Sequence, residues 1–323
     1  MIRRHTREVS VAIAIGVLAL VLAAAAPGYF SAENLSDLFL ANVTVLIIAL
    51  GATMVIIAGE IDISVGSVFA VASVTAGVVA KLAEPVGAAW TAAAAACLAG
   101  AIAGGLNGAL VAYLRIPSFV VTLAMMVALR DGLRWITQGA WIENLPGGFQ
   151  WFGMTQSRYP LFLLVTLAVV QSAIAWGMRH MAAGRMIFAT GSSAAAARLA
   201  GINVAAVKFW VFVAAGTLTG FAAVLNSMRF NQIPSNSGIG LEMKVIAAAV
   251  VGGAAITGGR GTLTGTLLGV VLLGAIGPAL TFLGVSAYWE RAIQGTIILI
   301  AVAIDATRSR QIRRSPAPAF SHV

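Results

Sequence analysis

Glu60 and Asp62 stand two residues apart in GEIDISVGS (residues 59–67). This segment interrupts one of the most apolar stretches of the chain, with VTVLIIALGATMVIIA before it and VFAVASVTAGVVA after it. A charge at the centre of a bilayer costs several kcal/mol, so such carboxylates face protein or water. Two chemistries are open to them: carrying a proton or sodium ion, or holding the backbone N–H groups of a helix start. Two structural readings follow. In one, GEIDISVGS is a short turn with both acids solvated and Asp62 capping the next helix. In the other, it breaks a helix at depth, and the half-helix ends face a pathway.

Other ionisable residues stand in similar settings. Asp131 lies between Arg130 and Arg134 in an apolar run, where a structural ion pair is its simplest role. Glu242 and Lys244 precede a short apolar helix in GIGLEMKVIAAAVVGGAAITGGRGTLTGTLLG (238–269). In that segment Gly252, Gly253 and GGRG at 258–261 imply tight turns or a helix interrupted within the membrane. GGRGT at 258–262 lacks the Gly-Lys-Ser/Thr ending of a phosphate-cradling loop. No HExxH and no serine–lysine or serine–histidine pairing can be placed, so nothing here points to an enzyme. Cys97 is the one cysteine, which excludes a disulfide framework and a cysteine-based zinc cage. His5, His180 and His322 are far apart in basic loops or tails, so no metal site is expected, and no cofactor.

Helices in lipid must position these residues. Of 323 residues, 60% are hydrophobic and 10% charged. A soluble chain carries roughly a quarter charged residues. The expected fold is therefore all-α: a polytopic transmembrane helical bundle forming a single domain over 1–323. Ten spans are expected at 9–27, 38–58, 64–80, 87–113, 117–137, 159–178, 206–227, 243–257, 262–284 and 291–306. The third and eighth are short, and the eighth is a candidate re-entrant segment. The basic start and apolar run 9–26 have features of a signal peptide, but the run is long and many spans follow, so an uncleaved first helix is expected. Gly100, Gly104 and Gly108 form a small-xxx-small stripe for close helix packing.

The net charge of +9 does not call for nucleic acid, because basic residues of membrane proteins gather in cytoplasmic loops. With an N-in/C-in arrangement, thirteen Lys and Arg fall inside: Arg3, Arg4, Arg7, Arg115, Arg179, Arg185, Arg198, Lys208, Arg260, Arg308, Arg310, Arg313 and Arg314. Seven fall outside or at outer helix ends: Lys81, Arg130, Arg134, Arg158, Arg229, Lys244 and Arg291. The largest inside segment is then 179–205, and the largest outside segments are 138–158 and 228–242. Within the inside segment, ATGSSAAAARLAGINV (189–204) spells a short helix. Ser192 or Ser193 can cap it, and Gly201 follows it where a left-handed residue is favoured.

GEIDISVGS, LNGALVAYLRIPSFVVTLAMM (106–126), ATGSSAAAARLAGINV, the 238–269 segment and LGVSAYWERAIQGTIILIAVAID (283–305) occur in order over nearly the whole chain. Together they resemble the membrane permease of bacterial ABC importers for ribose and other monosaccharides, within the wider family that includes branched-chain amino-acid permeases. The resemblance implies a transport subunit of the inner membrane, without enzymatic activity, working as a homo- or heterodimer. Its partners would be two ABC ATPase subunits, a periplasmic substrate-binding protein and membrane lipids, with no nucleic acid. It implies that the loop within 179–208 couples to the ATPase through Gly191, Ala197, Arg198, Gly201 and Ile202. Glu60, Asp62, Ser64, Gly66, Glu242, Gly252 and Gly253 become candidates for the pathway, for gating or for helix junctions. The family commonly has glycine in place of Glu60, so that residue is a departure. GAWIENLP (139–146) and IPSNSGIGLEMKVIAA (233–248) look more like permeases for autoinducer-2 or rhamnose than like the ribose permease. The competing class is an ion-coupled secondary transporter using Glu60, Asp62 or Asp131, which would have no need of a docking helix at 189–204.

Overall fold

A computed structural model describes residues 6–83, 87–286, 288–297 and 299–300. Eleven helices are bounded within them: α1 (Thr6–Ala25), α2 (Ala32–Ile57), α3 (Val65–Leu82), α4 (Ala88–Ala112), α5 (Ser118–Thr137), α6 (Tyr159–His180), α7 (Ala182–Ser192), α8 (Ala194–Leu199), α9 (Val204–Ser227), α10 (Leu241–Val251) and α11 (Leu263–Phe282). Residues 289–297 are helical again. No strand is formed among the described residues. One isolated antiparallel bridge joins Ile142 to Ile233.

Among the described residues, seven helices are long and apolar enough to cross a membrane: α1, α2, α3, α4, α6, α9 and α11. Ten spans are expected from the sequence; two of the other three, α5 and α10, differ for physical reasons, and the last lies partly outside the described residues. Helix α5 has 20 residues but carries Arg130, Asp131 and Arg134. Helix α10 has only 11 residues, about 16 Å, roughly half of the hydrocarbon thickness. The expected tenth span, 291–306, and the 283–305 motif run past the described residues. Arg3, Arg4, His5, Arg308, Arg310, Arg313, Arg314 and His322 also lie outside them.

Helix α2 is the axis of the bundle. Its second half is buried on every side, as expected of a helix apolar all round. It packs on α6, α7, α9, α10 and α11. Helices α4 and α9 make the closest pairing. Gly100 and Gly104 of α4 lie against the backbone of Phe212, Gly216 and Gly220 of α9, where a side-chain carbon would overlap main-chain carbonyls. The glycine stripe thus acts by letting two backbones touch, the main source of helix association where water exclusion is absent. Helix α1 lies at the edge, its Leu22 and the following Ala26 and Tyr29 clustered with Ala279 of α11. Its Glu8 accepts a hydrogen bond from the Thr262 hydroxyl.

The connections sort to two ends. Segments 138–158 and 228–242 meet through the Ile142–Ile233 bridge, whose two N–H···O bonds are each 2.9 Å. Arg229 at that end donates to the Leu40 carbonyl of α2 at 2.6 Å. The chain turns around Gly59, Gly191 and Gly259 meet at the other end, beside Ile57. Leu40 and Ile57 are separated along α2 by about 25 Å.

Candidate functional site: a docking helix and two interrupted spans

The sequence around α8 makes a rigid six-residue helix from local rules. Ser193 has extended backbone at the N-cap, and its side chain accepts from the Ala196 N–H at 3.2 Å. At the other end the Ile202 N–H reaches the Ala197 carbonyl and the Gly201 N–H reaches the Arg198 carbonyl, both at 3.0 Å. This pair of bonds is the Schellman stop, and it puts Gly201 at φ +80°. Asn203 then caps α9, accepting from the Ala206 N–H at 3.0 Å. Ala197 is buried and Ile202 packs on the second apolar cluster, with Val207 and Val211 of α9. Arg198 is exposed, and Leu199 is 91% exposed.

Gly191, at the end of α7, seats this unit on the bundle. It lies against the Ile57 carbonyl with no room for a side chain. The same carbonyl accepts from the Gly259 N–H at 2.8 Å. Gly59, in turn, sits beside Gly191 and Gly258. The structure therefore brings together the start of GEIDISVGS, the end of ATGS and the GGRG turn. Gly252 and Gly253 do not join this contact. Gly252 packs on Gly265 of α11, and Gly253 takes φ +103° to turn the chain after α10.

From Gly59 the chain runs without helix through residues 60–64, and both acids are buried. Of the two readings, the solvated turn does not hold: the segment is a buried interruption between α2 and α3, bound from several sides. Glu60 forms an ion pair with Lys208 of α9. The Ile61 N–H donates to the Ser118 hydroxyl at 3.1 Å, and its carbonyl accepts from Thr122 at 3.3 Å. Asp62 is not the N-cap: the capping position is Ser64, whose side chain caps nothing. Instead Asp62 accepts from the Ser64 N–H at 2.9 Å and from the Ser64 hydroxyl at 2.6 Å, an Asx turn that holds the chain just before the helix. Asn107 of α4 donates to the same hydroxyl at 2.8 Å.

Gly66, one residue into α3, meets the start of α10. It lies against the Gly238 carbonyl and the Glu242 carboxylate. Arg130 of α5 joins them: it is 3.9 Å from Glu242, 3.2 Å from the Ser67 hydroxyl and 3.5 Å from the Gly238 carbonyl. Helices α3 and α10 thus begin at one place, with an acid and an arginine between them. Half-helix starts of this kind carry partial positive charge and orient polar groups inside a bundle.

Sequence reasoning named Glu60, Asp62, Ser64, Gly66 and Glu242 but not their partners. Lys208 counted there only as a basic residue of an inside segment, Asn107, Ser118 and Thr122 only as part of the 106–126 motif, and Arg130 was assigned to Asp131. In the structure Asp131 faces Arg134 at 3.8 Å, with both side chains about two-thirds exposed. The missed signal was the rarity of polar residues inside apolar spans: Asn107 in AGGLNGAL and Arg130 in MMVALRD both stand out on that ground.

The described residues form a bundle of apolar helices with two interrupted elements and a capped surface helix. The chain belongs to the family of the branched-chain amino acid transport system / permease component, whose model matches residues 34–302. It is 38% identical over 307 residues to the probable ABC transporter permease protein YphD of Escherichia coli (strain K12), covering 93% of this chain and 90% of that one. It is 34% identical over 298 residues to the ribose import permease protein RbsC of the same organism, covering 91% and 92%. It is 33% identical over 309 residues to the autoinducer 2 import system permease protein LsrC of Salmonella typhi, covering 94% and 86%. No solved structure matches it.

Proposed function

We propose that this chain is the transmembrane subunit of an ATP-binding-cassette importer that passes a monosaccharide or sugar-like solute across the bacterial inner membrane. ATP would be hydrolysed by separate ATPase subunits docked on α8, and the chain itself would do no chemistry. The observation that carries this reading is α8. It is stiffened at both ends, exposes Leu199, and is seated through Gly191 on the turns at Ile57 and Gly259. A force applied to α8 reaches the interrupted 60–64 segment without crossing a flexible linker. Similarity to permeases named for ribose and for autoinducer 2 supports the solute class, with autoinducer-2 as the named alternative.

The rest of the assembly follows from the same reading. The α8 end is cytoplasmic, with the N- and C-termini inside and ten passages in one domain, α5 and α10 among them. A periplasmic binding protein docks at the end where 138–158 and 228–242 meet. A second permease copy or paralogue covers α5, whose exposed Val120, Leu123 and Val127 share the helix with exposed Asp131 and Arg134. Charges on that face are costly against lipid and tolerable against a partner or a watered pathway.

Ion-coupled transport is the weaker reading. Glu60 is paired with Lys208 and Asp131 with Arg134, while Asp62 is held by the Ser64 N–H and hydroxyl. Carboxylates that relay ions are better served by the absence of such cations. The test is uptake in reconstituted vesicles. Uptake that needs ATP, the ATPase and the binding protein supports the proposal. Uptake by this chain alone under a proton gradient rejects it.

A further inference from the structure

A cavity of about 400 Å³ opens beside α8, between the α4–α5 turn and the start of α9. Its charged lining consists of Arg115, Arg198, Lys208 and Glu60. Lys208 is committed to Glu60. Arg115 and Arg198 have no ion-pair or hydrogen-bond partner of their side chains among the described residues. The lining therefore carries two positive charges in excess. Arg115 also holds a left-handed backbone, φ +58°, that only glycine adopts freely. The start of α9, with Val204 and Ala205 on the wall, adds the partial positive charge of a 24-residue helix.

Arg198 on the cavity wall belongs to the same short helix α8 as the exposed Leu199, so a partner that docks on this helix comes within reach of the cavity. We propose that the cavity receives an acidic side chain of the ATPase subunit, and that this carboxylate competes with Glu60 for Lys208. The inference rests on the docking role of α8 and specifies the chemistry of the partner. The buried floor of the cavity is the link that gives it a function. Lys208 lies on α9, directly after the docking helix, whereas Glu60 opens the interrupted segment that leads to Asp62 and Gly66. A carboxylate arriving from outside draws Lys208 away from Glu60 and so loosens the hold of α9 on that segment. Withdrawal of the ATPase restores the pair. Docking and release of one side chain thereby set how firmly the α2–α3 interruption is held.

The two roles make opposite predictions for variants of one cavity. Removing positive charge weakens docking; removing Glu60 strengthens it, because the competing carboxylate is gone. The experiment uses the whole importer complex, purified with its ATPase from the native membrane and placed in phosphatidylcholine nanodiscs. ATPase binding is measured as a function of salt, and each variant is checked for the wild-type unfolding temperature. R115Q/R198Q is expected to weaken ATPase binding about tenfold, two partly exposed ion pairs being lost, and to flatten its salt dependence. E60Q is expected to tighten binding roughly threefold, while less solute is moved per ATP hydrolysed. Wild-type affinity in R115Q/R198Q, or weaker binding in E60Q, overturns the proposal. So does a loss seen only in discs containing phosphatidylglycerol, which would make a lipid phosphate the occupant. A wild-type chain that binds no ATPase at any salt overturns the docking reading itself, an outcome distinct from all of these.

Discussion

The Gly259 N–H donates to the Ile57 carbonyl at 2.8 Å, and Gly191 lies against that same oxygen. One carbonyl at the end of α2 therefore anchors both the GGRG turn and the segment that leads into α8. Both neighbours are glycine for a steric reason. Any side chain at 191 overlaps the Ile57 carbonyl, and one at 259 overlaps Ser192. The main chain of three separate segments is packed as closely here as side chains are elsewhere.

This contact yields the first prediction. Replacing Gly191 with valine forces α7 away from α2 and lifts α8 from its seat. Overpacking of this kind costs about 1–3 kcal/mol. G191V is expected to unfold at lower temperature than wild type and to hydrolyse ATP without uptake. An unchanged unfolding temperature would show that the seat is not as tight as the geometry makes it.

Gly201 leads to a different expectation, although it is also a glycine. Nothing lies within 4 Å of where its side chain would be, so there is no clash. The cost is in the backbone alone, because φ +80° is unfavourable for a β-branched residue, by about 1–2 kcal/mol. G201V is expected to insert in the membrane normally but to lose the Schellman stop, so that α8 frays and more ATP is hydrolysed per solute moved. G201N should keep most of the coupling, since asparagine tolerates the left-handed region. Equal defects in the two variants would argue for a steric role instead.

Leu199 tests the docking surface without touching the fold. Its side chain is almost wholly exposed, so L199D should leave the unfolding temperature within a degree or so of wild type, as substitutions at exposed sites usually change stability by no more than about 0.5 kcal/mol. A charged residue in an apolar contact should nevertheless weaken ATPase binding by at least about tenfold, in the range seen when a central interface residue is lost. Retention of full ATPase affinity would remove Leu199 from the interface.

The helices and the docking loop were legible because each follows a local rule. Apolar runs of about 20 residues gave α1 to α4, α6, α9 and α11 to within a few residues, except that α2 begins earlier, at Ala32. Cap chemistry alone marked the two ends of α8, with Ser192 or Ser193 at the start and Gly201 at the stop; the structure gives the cap to Ser193. The polar interior was less legible because its contacts are long-range. Ser64 and Asn107 are 43 residues apart, and Arg130 and Gly238 are 108 apart. A cap rule predicted that Asp62 would start α3, since an acid followed by Ile, Ser and Val fits the pattern. The bond to Ser64 and the burial of the segment moved the start to Val65. Asp131 misled for a related reason. Sequence adjacency favoured an Arg130–Asp131–Arg134 cluster, but successive residues on a helix point about 100° apart, and Arg130 turns inward to Glu242 while Asp131 turns out.

The Arg130–Glu242 contact supplies the last prediction. Both side chains are largely buried where α3 and α10 begin, and one oxygen of Glu242 has no hydrogen-bond partner. At 3.9 Å the pair is a loose one, held as much by the Ser67 hydroxyl and the Gly240 N–H as by direct contact. Removing one partner leaves an uncompensated charge in the bundle, which typically costs about 3–5 kcal/mol for a fully buried pair and less here. R130M and E242Q are each expected to lower the unfolding temperature. The double variant R130M/E242Q has no charge left to strand, so it should be more stable than R130M, although both substitutions remove native groups. If the double variant is instead as unstable as the sum of the singles, the two residues act independently. In that case Arg130 serves the Ser67 and Gly238 oxygens rather than the carboxylate.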